Sequence, residues 1–210
     1  MKILALELSS ALGSIAFVDE DRTPIVREFP SDRKDSGLFF ENLRDIYRSE
    51  DPPDRIVVGL GPGSYAGVRI AIAAALGLKA AGMAKLIGLP SICAFAQTMD
   101  EYRIIGDARR ESFFFARVKG GECVEGPTLY SANDLRAKLN EQPGISLYCS
   151  QLLPQFEGAV LAYPSALVLA QMGRTRPADI GDEMTLQPIY LRDPHITIPS
   201  KAAPLITILK

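Results

Sequence analysis

Residues 59–86, GLGPGSYAGVRIAIAAALGLKAAGMAKL, decide the fold of this 210-residue chain. A β-branched strand over residues 55–60 leads into a glycine–proline loop, and the loop leads into a predicted helix over residues 64–82. Between Ser64 and Ala84 the only charged residues are Arg69 and Lys79. A helix that is apolar nearly all round must be buried nearly all round. Its own sheet can cover one side, and either a second lobe or a second molecule has to cover the other.

The glycine loop has two interpretations. A helix N-terminus presents free N–H groups and a partial positive charge, so Gly61, Gly63 and Ser64 are weak candidates for holding a phosphate. The loop matches neither familiar phosphate motif, however. Gly67 is followed by valine rather than by the lysine of a Walker loop, and it stands one residue too far from Gly63 for a dinucleotide fingerprint. A tight structural turn between strand and helix is therefore favoured.

The remaining sequence alternates strand and helix patterns, which predicts an α/β protein. Before residue 100, strands are predicted at 3–8, 13–18, 24–29, 55–60 and 86–89. Three helices are predicted there: one capped by Asp35 or Ser36, one capped by Ser64, and a short one capped by Ser91 that runs through Met99. After residue 100, strands are predicted at 103–107, 112–118, 145–149 and 159–162, with a helix at 131–140 that Ser131 caps and a helix at 165–172.

The second half of this pattern resembles the first. With a constant offset of 100 residues and no gap, Glu7 aligns with Asp107 and Ile15 with Phe115. This alignment favours two related α/β lobes over a single mixed sheet with decorations. The predicted units are an N-terminal lobe at residues 1–100, a reduced second lobe at 101–173 and an extended, proline-rich segment at 174–210 that lies over the body or reaches a partner. The end of that segment, residues 205–209, could add an edge strand.

The composition excludes several classes of function. Hydrophobic residues make up 47% of the chain and the formal net charge is −2, so there is no overall attraction to nucleic acid or to an anionic membrane. The three cysteines, Cys93, Cys123 and Cys149, lack CxxC spacing, which argues against a disulfide framework or a zinc site. No stretch is long enough for a signal peptide or a membrane span, and a cytoplasmic location is expected.

Four segments together resemble the TsaB (YeaZ) family: the first strand ILALELSS, the loop GLGPGSYAGVR, the strand end GDAR at residues 106–109 and PIYLR at residues 188–192. The resemblance implies an actin-like (ASKHA, ribonuclease H-like) fold of two α/β lobes. It also implies a non-catalytic subunit for N6-threonylcarbamoyladenosine formation at position 37 of tRNA. Glu7, Asp35 and Ala66 depart from the residues usual in the family.

The resemblance further implies partners. They are the catalytic paralogue TsaD and the small ATPase TsaE, or a second copy of the chain in a homodimer; tRNA would be contacted only through the complex, and no membrane is involved. Family members associate through the two helices of the N-terminal lobe. The interface residues expected here are Phe39, Leu43, Ile46, Tyr47, Gly67, Ile70, Ala71, Ala74 and Leu78.

Chemistry by the chain itself has little support in the sequence. The only histidine, His195, cannot form the histidine-based metal site of the catalytic paralogue. Glu7 and Asp107 could mark the two hairpins that hold ATP in this superfamily, yet neither is followed by glycine, and strand ends facing a cleft are the favoured interpretation. No catalytic residue, metal or confidently bound cofactor is therefore expected, and ATP and Mg²⁺ are expected only at the level of the complex. The alternative is an active actin-like, ATP-dependent enzyme such as a small kinase or a metallopeptidase.

Overall fold

The computed structural model describes residues 1–31, 36–82, 84–95, 100–176 and 186–192. Asp35, Met99, His195 and residues 205–209, which carried predictions, lie outside these ranges. The first lobe consists of β1 (Ile3–Glu7), β2 (Leu12–Val18), β3 (Ile25–Pro30), α1 (Gly37–Ser49), β4 (Arg55–Gly59), α2 (Tyr65–Ala81), β5 (Lys85–Leu89) and a 3₁₀ helix (Ser91–Ala94). The second consists of β6 (Glu101–Asp107), β7 (Ser112–Lys119), β8 (Glu122–Ser131), α3 (Ala132–Asn140), β9 (Leu147–Cys149) and β10 (Val160–Leu161), followed by α4 (Ala166–Thr175).

The two sheets have the same topology, which confirms the predicted arrangement of two related α/β lobes. The first sheet has the order β3-β2-β1-β4-β5, and the second has the corresponding order β8-β7-β6-β9-β10. In each sheet the first two connections are antiparallel and the last two strands run parallel to the first. In the described residues the second lobe has no helix between β9 and β10 to match α2, so it is the smaller one.

The gapless alignment of the two lobes is wrong by one residue. Glu7 is paired with Ser14 across the first hairpin, whereas Asp107 is paired with Phe113 across the second. The second turn is therefore one residue shorter, and Ile15 corresponds to Phe114 rather than to Phe115. Arg109, Arg110 and Glu111 all have φ between 53° and 67°. These successive left-handed residues reverse the chain in the shorter turn.

The helices of the first lobe cover both faces of its sheet. Leu4 and Leu6 of β1 point to a core shared with α1 and α2, while Ile3 and Ala5 point to a core shared with α4. The sequence pattern placed α4 with the second lobe, but in the structure it packs on the first sheet. Its first turn is held there by Ser14, whose Oγ accepts a hydrogen bond from the Ala166 N–H at 2.9 Å.

The glycines of the loop bring the start of α2 against the backbone that follows β1. A Cβ at Gly63 would overlap the Ser9 carbonyl, and one at Gly67 would overlap the Leu8 carbonyl. The Ser64 N–H donates to Ser9 O at 2.7 Å, and Ser64 Oγ caps the helix by accepting from the Gly67 N–H at 3.3 Å. The preferred interpretation of the loop, a tightly packed turn, is thus confirmed.

This geometry predicts opposite effects for two glycine-to-alanine substitutions in the same helix. Gly67→Ala should lower the free energy of unfolding by about 1–3 kcal/mol, because its methyl group forces α2 away from β1. Gly77→Ala is the matched control: it lies on the exposed face, and a Cβ there meets no atom within 4 Å. It should raise stability by about 0.5–1 kcal/mol through helix propensity. Chemical denaturation of both variants tests the pair, and equal effects would contradict the packing described for Gly67.

Candidate functional site

A cleft of about 540 Å³ opens between the two lobes. It is lined by the turns that follow β1 and β6, by the glycine loop and by an extended segment near the C-terminus. The lining is rich in hydroxyl groups and carries two arginines, Arg109 and Arg192. The main residues of the wall are Ser9, Ser10, Pro62, Gly63, Ser64, Tyr65, Asp107, Arg109, Ser150, Gln151 and residues 188–192.

The glycine loop is a poor fit for a phosphate, although it forms part of the cleft. Its N–H groups are largely used within the protein: that of Gly61 donates to Ser91 Oγ at 2.9 Å, and those of Ser64 and Gly67 make the bonds described above. A phosphate cradle needs such donors to be free. The loop residues Gly61, Gly63 and Ser64 therefore stay weak candidates for cofactor binding.

Glu7 is fully buried behind the wall of the cleft and is not among the residues that line it. Its Oε1 accepts a hydrogen bond from the Ser9 N–H at 2.6 Å, while its Oε2 is buried without a hydrogen-bond partner among the described residues. Desolvation raises the pKa of Glu7. The hydroxyl groups of Ser9 and Ser91 and the Ser9 N–H oppose this shift but do not cancel it. A Cβ at Gly59 would overlap Oε2, so a glycine makes room for the carboxyl group.

Asp107 repeats the local structure of Glu7 but has a different environment. Its Oδ1 accepts from the Arg109 N–H at 2.7 Å, the same contact two residues ahead that Glu7 makes with Ser9. Asp107 lines the cleft, is partly exposed, and lies 3.6 Å from the Arg109 guanidinium. Of the two acids predicted to face the cleft, only Asp107 does so.

The predicted interface residues are distributed between the core and the surface. Phe39, Leu43 and Ile46 of α1 and Gly67 and Ala71 of α2 are buried against the sheet of their own lobe, so they cannot form an outer surface. Ile70, Ala74 and Leu78 are half-buried at the edge of that core, and Tyr47 is exposed. For five of the nine predicted positions, the residue lies on the inward face of its helix, so the prediction is wrong at those positions.

The outward face of α2 is apolar and remains open. It carries Tyr65, Ala73, Leu76 and Ala80, and Arg69 is the single charged residue of the stripe. Tyr65 is 52% exposed and Leu76 is 43% exposed. On α1, Leu38 and Phe40 are exposed as well. Residues 101–173 of the second lobe are all described, and the outward residues of α2 are exposed in their presence, so this lobe does not cover the outward face. The alternative that the second lobe supplies the cover is therefore wrong.

The other reactive groups are held in structural roles. Burial raises the pKa of the Cys93 thiol to about 12, which leaves it protonated at neutral pH. Within the described ranges no three histidine, cysteine or acidic side chains come together in a way that could hold a metal. Nor does any described helix have the length and hydrophobicity to cross a membrane.

Comparison with known proteins shows a matching family model and two related sequences. The family model described as TsaD, tRNA N6-adenosine threonylcarbamoyltransferase, matches residues 41–153. An uncharacterized protein of Mycobacterium bovis is 31% identical over 155 residues, covering 67% of this chain and 65% of its own length. An uncharacterized protein of Mycobacterium leprae is 28% identical over 132 residues, covering 53% of this chain. The chain spans about two thirds of the length of the first relative and 34% of the second.

Two solved structures share the fold along nearly their whole length. YeaZ from Pseudomonas aeruginosa superposes with a TM-score of 0.65 at 21% identity, covering 90% of this chain and 99% of its own. A protein from Pseudomonas aeruginosa described as similar to peptidase YeaZ superposes with a TM-score of 0.70 at 18% identity, covering 91% and 99%. At these identities the likeness concerns the fold.

The buried carboxyl group of Glu7 predicts a specific pH dependence of stability. Because its pKa is raised in the folded state, Glu7 contributes most favourably below its ordinary pKa of 4.5, and this contribution is lost as the pH rises through the folded pKa. Glu7→Gln keeps an acceptor for the Ser9 N–H and cannot ionise. Relative to the native chain, its free energy of unfolding should therefore rise between acidic and neutral pH.

Urea denaturation at several pH values measures this difference. Glu41→Gln, at an exposed position of α1, is the matched control and should follow the native curve. A constant difference between the Glu7→Gln variant and the native chain at every pH would show that burial does not perturb Glu7.

Proposed function

Because the chain belongs to the TsaD family of tRNA N6-adenosine threonylcarbamoyltransferases and has the fold of YeaZ, we propose that it is a non-catalytic subunit in tRNA N6-threonylcarbamoyladenosine formation. Its role would be to pair with a TsaD-like catalytic paralogue through the first lobe. The observation that carries the proposal is the open apolar face of α2, on a helix whose opposite face already packs on its own sheet.

The composition of this face supports docking of another helix. Ala73 and Ala80 have small side chains and Gly77 has none, so the backbone of a second helix can approach closely. Leu76 supplies a larger apolar contact. Contiguous exposed apolar surface of this kind commonly marks an interaction site. A TsaD-like paralogue is the preferred occupant because it would have a related first lobe with its own pair of helices. A second copy of this chain is the alternative occupant.

The non-catalytic part of the proposal is supported by the candidate residues themselves. The sequence contains one histidine. Glu7 is fully buried and is not among the residues that line the cleft, so its carboxyl group is not exposed there. The glycine loop uses its N–H groups for its own packing. The metal and nucleotide chemistry of the reaction would then belong to the TsaD-like subunit and to a TsaE-like ATPase, with tRNA bound by the complex.

The partner surface predicts that a charge at Leu76 prevents assembly. Leu76→Glu should leave the isolated chain folded, because the position is exposed and glutamate is a good helix former. In the complex, the unpaired charge would be desolvated at a cost of about 3–5 kcal/mol, which weakens affinity by a hundredfold or more. Co-purification and calorimetry with the TsaD-like protein of the same organism measure the loss.

Leu152→Glu is the matched control. Leu152 is 80% exposed and lies in the second lobe, outside the apolar face of α2, so the same substitution there should leave binding unchanged. Equal binding by the Leu76→Glu and native chains would remove α2 from the interface. If Leu76→Glu disrupts only self-association, the occupant of the α2 face is a second copy instead.

The proposed role also predicts a cellular phenotype. Deletion of the gene should lower threonylcarbamoyladenosine in bulk tRNA, measured by mass spectrometry of nucleosides, and the native chain should restore it where Leu76→Glu does not. The active-enzyme alternative predicts instead that the isolated chain binds Mg-ATP with micromolar affinity, and that Asp107→Ala abolishes the binding. That result in calorimetry would overturn the non-catalytic assignment.

A further inference from the structure

Residues 186–192 return to the body of the protein and touch both lobes. Leu186 packs against the core of the first lobe, beside β5 and the end of β4. Five residues later, Leu191 packs against the core of the second lobe formed by Tyr102, Ile104 and Phe114 with the 3₁₀ helix. One short extended segment therefore places an apolar anchor in each lobe.

The first-lobe anchor occupies a seat that a glycine creates. At Gly88 of β5, an added Cβ would lie 2.6 Å from Leu186 Cδ2 and 2.7 Å from Leu60 Cδ1, so a side chain there would displace the ends of these leucines. Between the two anchors, the Ile189 N–H donates to Leu60 O at 2.8 Å. The contact at Gly88, the backbone hydrogen bond and the half-buried Leu186 together indicate a specific docking rather than an incidental contact.

The segment also reaches the start of α2 and the cleft. The ring of Tyr190 lies against that of Tyr65 with 5.4 Å between the centroids, and Arg69 stacks on the same Tyr65 ring at 5.1 Å. Residues 188–192 line the cleft together with the second-lobe turn at Asp107 and Arg109. The segment is thus placed where a change in the angle between the lobes would pull on it.

Apart from this segment, the lobes are joined by two chain crossovers, one after β5 and one between β10 and α4, and by packing of the 3₁₀ helix on the second sheet. These connections leave a hinge about which a cleft can open, and a further attachment that lines the cleft and touches both lobes restricts that hinge. We propose that residues 186–192 are an interlobe clasp, which holds the cleft at a fixed opening and allows it to widen when either anchor is released.

The clasp differs from simple surface packing in one measurable respect. Loss of an anchor in one lobe should speed up amide hydrogen exchange in the other lobe. Leu186→Ala removes the first-lobe anchor, so backbone amides of the second-lobe turn at residues 108–112 should exchange with deuterium about tenfold faster or more. Leu191→Ala removes the second-lobe anchor, so the faster exchange should appear in the first-lobe loop at residues 60–65. The double variant should exchange no faster than the single ones, because one lost anchor already releases the clasp.

Hydrogen–deuterium exchange on the isolated full-length chain tests this, with Leu152→Ala as the exposed-leucine control. Gly88→Ala tests the same anchor independently, because its methyl group takes the space that Leu186 Cδ2 occupies while Leu186 itself is kept. It should speed up exchange at residues 108–112 as Leu186→Ala does. If the alanine variants are too unstable, Leu186→Val and Leu191→Val serve with a smaller expected effect. Acceleration confined to the lobe that carries the substitution, additive effects in the double variant, or no acceleration would each overturn the clasp. The experiment involves no partner, so its outcome is independent of the proposed function.

Discussion

The close approach between the backbone at Leu8–Ser9 and the first turn of α2 is the contact on which the rest of the structure depends. Two glycines permit it, and the Ser64 N–H fixes it by donating to Ser9 O. This contact determines which face of α2 is buried, and therefore which face is left open. It also uses the backbone donors that a phosphate would need, so the same geometry that builds the helical surface weakens the nucleotide site.

The two lobes show how one topology supports different uses. In both hairpins the first strand ends in an acid, Glu7 or Asp107, whose carboxyl group accepts a hydrogen bond from the amide two residues further along the chain. In the first lobe that acid is buried beside Gly59 and Ser91 of the 3₁₀ helix, whereas in the second it lines the cleft beside an arginine. The second lobe has no counterpart of α2 among its described residues and depends on α3 and on contacts with the first lobe. The cleft and the open helix are therefore separate features of one chain, connected at Tyr65, where the segment 186–192 meets the beginning of α2.

Much of the local structure could be predicted because it depends on neighbouring residues. Ser64 and Ser131 cap their helices as the sequence indicated, with each Oγ accepting an amide hydrogen bond three residues on. Strand alternation in β7 places Phe113 and Phe115 in one core of the second lobe and Phe114 in another. The capping expected at Ser36 is absent, since its side chain makes no cap hydrogen bond. The position of α4 was beyond sequence reasoning, because its amphipathic pattern does not say which sheet it covers.

The sequence alone determined the strand and helix order, the tight turn at the glycine loop and the presence of a helix too apolar to be solvated all round. Periodicity, capping and glycine spacing depend on residues that are close together in the chain, so they can be recognised from the sequence alone. Only the tertiary structure decided which side of α2 faces outward, that Glu7 lies behind the cleft rather than in it, and that Leu186 and Leu191 anchor in different lobes. Each of these depends on the relative placement of segments far apart in the chain, and that placement is set by packing, which no local pattern encodes.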